Sequence, residues 1–251
     1  MKRVFVAGFL LFSVLVNAQN GSSSFKEGEF LKYKIHYGLL NAGFTSVEVR
    51  ETQDENKLHA IGKGWTTGMV SFLFKVNDRY ETYIDTETNR PTRFIRKINE
   101  GGYKKDKEIL FDFKTHQAQV FDHKNDTVAS FFIQNNVQDM LSSFYYLRSL
   151  DLKTLKENDS IDVNMFFDER MHNIRVLVLG RDVLKTDFGE INCIKIRPLV
   201  LEGRVFKDEE NVTLWLSDDD NKIPIKIKAS ILVGSVKAEL IEFKGLAHPF
   251  P

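Results

Sequence analysis

The chain has 251 residues, and its 35 Lys and Arg balance its 35 Asp and Glu, so the formal net charge is zero. This balance argues against a general nucleic-acid-binding protein, which needs a basic face, and provides no polybasic membrane anchor. The single cysteine, Cys193, cannot form an internal disulfide, so burial of a hydrophobic core must stabilise the fold.

The first eighteen residues are typical of a secretory signal peptide. Lys2 and Arg3 precede an almost wholly apolar run at 4–16, and Ala18 is the small residue that a signal peptidase requires. The apolar run is shorter than the ~20 residues that span a bilayer as a helix, and no later run is long enough either. We therefore predict a periplasmic or secreted protein, cleaved near Ala18, without a transmembrane segment.

Short strands are predicted after a flexible leader at 19–24. Apolar and polar side chains alternate in these segments, and Asp, Asn, Gly and Pro residues mark the turns between them. In the first half of the chain the strands are predicted at 29–37, 44–49, 58–65, 76–85, 92–98, 108–113, 117–121 and 128–133. The segment 68–75 is either a buried strand or one to two helical turns, which periodicity does not decide.

The period changes at 137–155, where apolar residues recur every three or four positions. This spacing predicts the one amphipathic helix of the mature chain, with Asp139 in its first turn. Strand patterns resume at 161–167, 170–180, 187–201, 212–217, 223–228 and 236–243.

These short strands and their spacing along the chain predict a mainly β fold. The antiparallel strands would form a strongly curved sheet, or a barrel-like or sandwich domain, with one central amphipathic helix. We expect a single domain at 25–246 and a short tail at 247–251, because no linker composition interrupts the chain. Two lobes around the helix at 137–155 are the alternative.

Several segments spread over most of the mature chain carry a family resemblance. They are GEFLKY at 28–33 with AGF at 42–44, DRYE at 78–81 followed by Pro91, DMLSSFYYLR at 139–148, WLSDD at 215–219 with IPI at 223–225, and GSVKAEL at 234–240. In this order they resemble the exported bacterial family catalogued as domain of unknown function 3108. The resemblance implies a β-rich exported envelope protein, and it brings no established activity and no catalytic residues. The signal that ends in NAQ at 17–19 also resembles those of the Bacteroidetes.

Motifs for catalysis or metal binding are not found in the sequence. The six His residues are scattered without metal-ligand spacing, and neither a Gly-x-Ser-x-Gly elbow nor a P-loop is present. We interpret Cys193 as a small buried residue. The acidic segment 218–221 has the composition of a Ca²⁺ loop or of a solvated turn, and the missing Gly and distal Glu of an EF-hand favour the turn. No catalytic residue, metal or cofactor is predicted.

Aromatic residues provide the candidate binding surface, since Phe alone accounts for 21 of the 30 aromatics. The candidate ligand-facing residues are Trp65, Phe72, Phe74, Phe144, Tyr145, Tyr146, Arg148 and Trp215. Aromatic residues more often pack in a core, so this assignment competes with plain packing. Thr127 and Ser160 follow Asp and precede an aliphatic residue, which resembles the acceptor of Bacteroidetes O-glycosylation.

Three functions are compatible with these features. The first is a non-catalytic binding or carrier protein for an apolar or amphipathic envelope molecule, such as a lipid or a glycan. The second is an assembly partner that binds another envelope protein at a sheet edge. The third is a hydrolase whose site is assembled in space from distant segments.

Overall fold

A computed structural model describes residues 23–200, 212–230 and 234–250, and it contains fifteen strands and two helices within them. The strands are β1 (Phe30–Tyr37), β2 (Leu40–Glu51), β3 (Lys57–Thr66), β4 (Asn77–Asp85), β5 (Arg90–Glu100), β6 (Tyr103–Asp112), β7 (Gln117–Asp122), β8 (Thr127–Phe132), β9 (Val137–Gln138), β10 (Ser160–Phe167), β11 (Arg170–Thr186), β12 (Gly189–Val200), β13 (Val212–Ser217), β14 (Pro224–Ser230) and β15 (Ser235–Lys244). The helices are α1 (Gly68–Leu73) and α2 (Ser142–Ser149). The signal-like segment at 1–18 and the end of the predicted strand at 187–201 lie outside the described residues.

All fifteen strands belong to one sheet, in the order β8-β7-β6-β5-β4-β3-β2-β1-β15-β14-β13-β12-β11-β10-β9. Every neighbouring pair is antiparallel except β9 and β10. The predicted mainly antiparallel, strongly curved sheet is confirmed.

The sheet curls until its two edges come close together. β8 and β9 are the edge strands, yet only residues 133–136 connect them, so the end of β8 lies at most ~18 Å from the start of β9. Across this gap, the ring of Phe166 on β10 packs 5.7 Å from Phe131 and 6.3 Å from Phe111. Ion pairs also join the two sides, since Arg96 lies 2.8 Å from Asp168 in the β10–β11 turn. The described strands are thus barrel-like, although the sheet is not closed.

The helix predicted at 137–155 is shorter in the structure. Residues 137–138 pair with β10 as β9, and the Asp139 carboxylate accepts hydrogen bonds from the backbone N–H groups of Leu141 and Ser142, both at 2.7 Å. The Ser142 hydroxyl in turn accepts the N–H of Asp139, so the two residues form a reciprocal cap. At the other end Leu150 is extended and ends α2.

The segment 68–75, for which periodicity left strand and helix open, contains α1, a second helix beside the predicted one. This helix has six residues, and none of them is buried. By contrast, α2 contributes Leu147 to one buried cluster and Tyr145 to another, so it joins two parts of the core on one face of the sheet.

Among the described residues, the β11–β12 hairpin is the longest, and it bends near Gly180, where the register shifts. Gly180 has a φ of +110°, a conformation that L side chains rarely adopt. Beyond the bend, Leu184 and Phe188 pack against the cluster around Leu31 and Leu240. The far end of this hairpin therefore covers the middle of the sheet.

Candidate functional site

The eight predicted ligand-facing residues lie on α2, on β13 and around α1, and Phe144 of α2 packs against the same core cluster as Trp215. Four of them, at 144–146 and 148, belong to α2. Trp215 lies on β13, and the remaining three, Trp65, Phe72 and Phe74, lie at or beside α1. The structure therefore does not bring the eight together in one cavity, and their role in binding stays a prediction.

Arg148 is fully buried and forms a bidentate ion pair with Glu29. Its Nη1 and Nη2 atoms donate to the two carboxylate oxygens of Glu29, each at 2.6 Å. Nε donates to the carbonyl of Asn221 at 2.9 Å, and Nη2 also donates to the carbonyl of Ser24 at 2.8 Å. The guanidinium thus ties α2 to the N-terminal segment and to the β13–β14 turn. We call Arg148, Glu29, Ser24 and Asn221 the buried arginine cluster.

Aromatic rings enclose this cluster. The guanidinium carbon lies 5.2 Å from the ring centre of Phe144, 5.4 Å from that of Tyr145 and 5.8 Å from that of Phe25. Burial of the cation acts to lower its pKa, but the charge of Glu29 outweighs this effect, so the pKa of Arg148 is raised. Because protein groups already accept its hydrogen bonds, the geometry favours a structural role for Arg148.

A serine and a lysine meet beside the cluster. Lys222 Nζ lies 3.1 Å from Ser24 Oγ, and burial lowers the pKa of Lys222. The Ser24 hydroxyl, however, donates its proton to the carbonyl of Arg148 at 2.6 Å. A lysine base would have to receive that proton to activate the hydroxyl. The arrangement therefore holds the N-terminal segment in place and does not present a nucleophile.

Trp215 is 8% exposed and belongs to the cluster around Leu31. Its indole Nε1 donates to Asp182 at 3.1 Å, and the ammonium groups of Lys195 and Lys226 lie 5.4 and 5.8 Å from its ring centre. Trp215 is thus a packed residue with a polar anchor and two cations against its ring.

A cleft of 240 Å³ lies beside Trp215, between the end of the β11–β12 hairpin and strands β1, β14 and β15. Its polar walls include Lys226, whose ammonium is 3.1 Å from Glu239, and His36, whose ring is 3.9 Å from the same carboxylate. Its apolar lining residues are Leu184, Ile225, Leu240 and Ile241, and its other lining residues are Lys34, Lys185, Thr186 and Asp187. We call it the hairpin cleft. It combines three lysines and two acids with an apolar surface.

The third location is an exposed apolar edge around α1. Phe72 is 90% exposed, and the other exposed apolar residues here are Leu39, Leu40, Met69, Leu73, Phe74 and Tyr103. They come from the segments 38–43, 67–76 and 101–104, which we call the apolar rim. Hydrogen bonds connect the three segments, since Thr67 N–H donates to Ala42 and Gly101 N–H donates to Lys75. Trp65 is half-buried on β3, and its ring packs at a tilt 5.9 Å from that of Phe44.

Other predictions from the sequence can be placed as well. Cys193 is buried, as predicted, and burial raises the pKa of its thiol to about 12. The acidic segment 218–221 is a turn in which Asp219 accepts the backbone N–H groups of Asn221 and Lys222. Among the described residues, no group of three His, Cys, Asp or Glu side chains is placed to hold a metal ion. Thr127 and Ser160 are exposed at the first residues of β8 and β10, and their glycosylation stays a prediction.

Sequence reasoning missed Glu29 and Asn221, although both belong to the buried arginine cluster. They lie 119 and 73 residues from Arg148, so no local pattern connects them with it. The available signal was Arg148 itself, because a cation on the apolar side of a predicted helix needs a buried acid as its partner.

In the described part of the chain, neither helix has the length and apolar character to cross a membrane.

Comparisons with known proteins agree with this fold. A family model described as "protein of unknown function (DUF3108)" matches residues 32–241, whereas a search of curated proteins finds no match. A beta-barrel-like protein of DUF1849 from Brucella abortus is similar in structure, with a TM-score of 0.61 and 11% identity over 86% of this chain and 96% of that chain.

Two further solved structures show weaker likeness. A candidate lipoprotein from Parabacteroides distasonis has a TM-score of 0.39 and 11% identity, over 90% of this chain and 100% of its own. A candidate exported protein from Bacteroides fragilis has a TM-score of 0.38 and 6% identity, over 88% of this chain and 97% of its own. At such scores they do not define a shared fold, and the Brucella likeness concerns the fold alone.

Proposed function

This chain belongs to DUF3108, a family of proteins of unknown function, and we propose that it is a non-catalytic binding or carrier protein for an amphipathic molecule of the bacterial envelope. The signal-like segment at 1–18 supports export to the periplasm. The observation that carries the proposal is the hairpin cleft, where cationic and apolar side chains line the same space.

The composition of the hairpin cleft favours a ligand with an anionic group and a short apolar part. Lys34 and Lys226 supply cations from two neighbouring regions of the sheet, and Leu184, Ile225 and Leu240 supply apolar contacts. Drug-sized ligands occupy pockets of ~300–1,000 Å³, and this cleft has 240 Å³. We therefore propose that it takes the head group and first carbons of an amphipathic lipid, or an anionic glycan of similar size, and not a whole lipid.

Tryptophan fluorescence tests this proposal with a short-chain phosphatidylglycerol that stays monomeric in solution. In a Trp65→Phe background the remaining emission comes from Trp215, whose ring lies beside the Lys226 ammonium. We expect a saturable shift in emission, and we expect Lys226→Glu to weaken it roughly tenfold or more, because an attraction becomes a repulsion.

Lys195→Glu is the matched control for this experiment. Lys195 faces the same indole at 5.4 Å but does not line the cleft, so its replacement should leave the affinity for the lipid unchanged. Absence of any shift with either a short-chain lipid or an anionic oligosaccharide would contradict the proposal, as would equal losses in the two variants. Mass spectrometry of lipid or glycan that copurifies from native envelope would identify the natural ligand.

Strand β8 favours a second candidate, the assembly partner. It is an edge strand, five of its six residues are exposed, and it contains no charged residue. Such an edge can accept an added strand from another chain. Ser130→Pro would remove a backbone donor from this edge, so it should abolish copurification of a protein partner if β8 binds one. Copurification that survives this change would contradict the strand-addition model.

A further inference from the structure

We propose that the apolar rim is a membrane-docking surface, which inserts its exposed side chains into a lipid bilayer that contains anionic phospholipid. This inference goes beyond the proposed function, because it concerns a different surface and does not require the hairpin cleft to bind anything.

The first observation is the degree of exposure. Met69, Phe72 and Leu73 of α1 are 78%, 90% and 75% exposed, and Leu39 and Leu40 at the start of β2 are exposed beside them. A soluble protein exposes single apolar side chains routinely, whereas a contiguous set marks an interaction site. The backbone hydrogen bond from Thr67 to Ala42 keeps α1 next to β2, so these side chains form one set.

The second observation is the way in which the rim is built. Phe74 packs on the β5–β6 turn so closely that a Cβ at Gly101 would lie 2.4 Å from its ring, and Gly101 N–H donates to Lys75. These contacts fix α1 on the end of the sheet. The apolar side chains that point outwards are therefore held by the fold, and α1 needs none of them for its own packing.

The third observation is the charge of the rim. The segments 38–43, 67–76 and 101–104 contain Lys75 and Lys104 and no acidic residue. Both lysines are exposed, and each directly follows an exposed aromatic residue, Phe74 and Tyr103. An apolar tip flanked by cations and aromatic rings is the composition that binds an anionic bilayer surface, where the rings insert at the interface and the lysines meet the head groups.

The shape of the rim favours a bilayer over a protein partner. The side chains project from the ends of separate hairpins and from α1, so a protein partner would need a groove that matches all of them. A fluid bilayer accommodates such projections without a matching shape. We therefore commit to anionic phospholipid as the occupant, and a second copy of this chain is the competing outcome of the test.

Vesicle co-sedimentation tests the inference. The protein is expressed with its own signal-like segment at 1–18 and is recovered after export. Wild type should bind vesicles of phosphatidylglycerol and phosphatidylethanolamine, and bind vesicles of phosphatidylcholine alone at least fivefold more weakly. Phe72→Ser should reduce partitioning about tenfold, since one phenyl ring is no longer removed from water. Lys75→Glu should reduce it about fivefold or more on the anionic vesicles, and salt at about 0.5 M should abolish the preference for them.

Phe132→Ser is the matched control. Phe132 is a phenylalanine that is 72% exposed, but it pairs with Gln117 at the opposite end of the sheet from Tyr103. Its replacement should leave vesicle binding unchanged. The N-terminal segment 1–24 has the same sequence in all variants, so it cannot account for a difference in vesicle binding between them.

Three outcomes would overturn the inference. They are absence of binding to every vesicle, equal losses in Phe72→Ser and Phe132→Ser, and a doubled mass in solution that Phe72→Ser alone removes. The proposed function is tested separately, because Lys226→Glu acts on binding of the monomeric short-chain lipid and Phe72→Ser acts on vesicles.

Discussion

The buried arginine cluster and the apolar rim reverse the usual positions of polar and apolar residues. Arg148 and Glu29 are both fully buried, whereas Phe72 and Met69 are among the most exposed large apolar side chains of the described residues. The ion pair is buried because Asn221 and Ser24 complete its hydrogen bonds. Within the residues that the structure describes, the exposed side chains of α1 have no such compensation. This difference indicates that the buried arginine cluster stabilises the fold, whereas the apolar rim is available for contacts with other molecules.

The largest expected effect comes from breaking the buried ion pair. Arg148→Met would leave the Glu29 carboxylate buried without its partner, and we expect a loss of ~3–5 kcal/mol in the free energy of unfolding. Urea denaturation measures this loss. The double variant Arg148→Met with Glu29→Leu should recover most of it, because neither charge then remains in the core. A single variant as stable as wild type would contradict the structural role that we assign to the cluster.

A second buried charge at the other end of α2 predicts a pH dependence. Burial raises the pKa of Asp139 from 3.8 to about 6, although the Thr82 hydroxyl and the backbone N–H groups of Ser142 and Leu141 favour the ionised form. The folded state therefore holds this proton more tightly than the unfolded state does. Its contribution to stability is fully present below pH 3.8 and is lost as the pH rises through about 6. At ~1.4 kcal/mol for each pH unit, the loss amounts to about 3 kcal/mol.

Asp139→Asn isolates this effect from the rest of the chain. Other carboxyl groups, such as that of Glu81, have a lowered pKa and change stability in the opposite direction. The quantity to measure is thus the difference in unfolding free energy between wild type and Asp139→Asn from pH 4 to pH 8. We expect the variant to gain on wild type as the pH rises. A constant difference across this range would show that Asp139 does not titrate there.

The predicted and observed elements show how far the fold can be predicted from the sequence. Strict alternation identified the strands around 212–217 and 223–228, and with them the fold class. The helix was predicted too long because Leu150, Leu152 and Leu155 continue the apolar spacing, although they pack against the core from outside α2. Hydrophobic spacing reports which residues face the core, and it does not report where the backbone stops being helical.

The site was less predictable than the fold. The partners of Arg148 come from distant segments, so a list of aromatic residues near one arginine could not identify the ion pair. The run at 68–75 looked equally suited to a buried strand, because an exposed apolar helix and a buried strand have the same composition. What distinguishes them is the sheet itself, which ends before α1 and leaves it uncovered.

The smallest expected effect on the free energy of unfolding comes from a phenylalanine of the apolar rim, and a phenylalanine of the core provides the comparison. Phe72→Ala should change the free energy of unfolding by less than ~0.5 kcal/mol, because the ring is almost wholly in water in the folded protein. Phe166→Ala, which removes a fully buried ring between Phe111 and Phe131, should cost ~3–5 kcal/mol. Urea denaturation of both variants, with wild type as reference, decides the matter. Should Phe72→Ala cost as much as Phe166→Ala, α1 would pack against the protein in solution, and an apolar surface free to meet a membrane would not exist there.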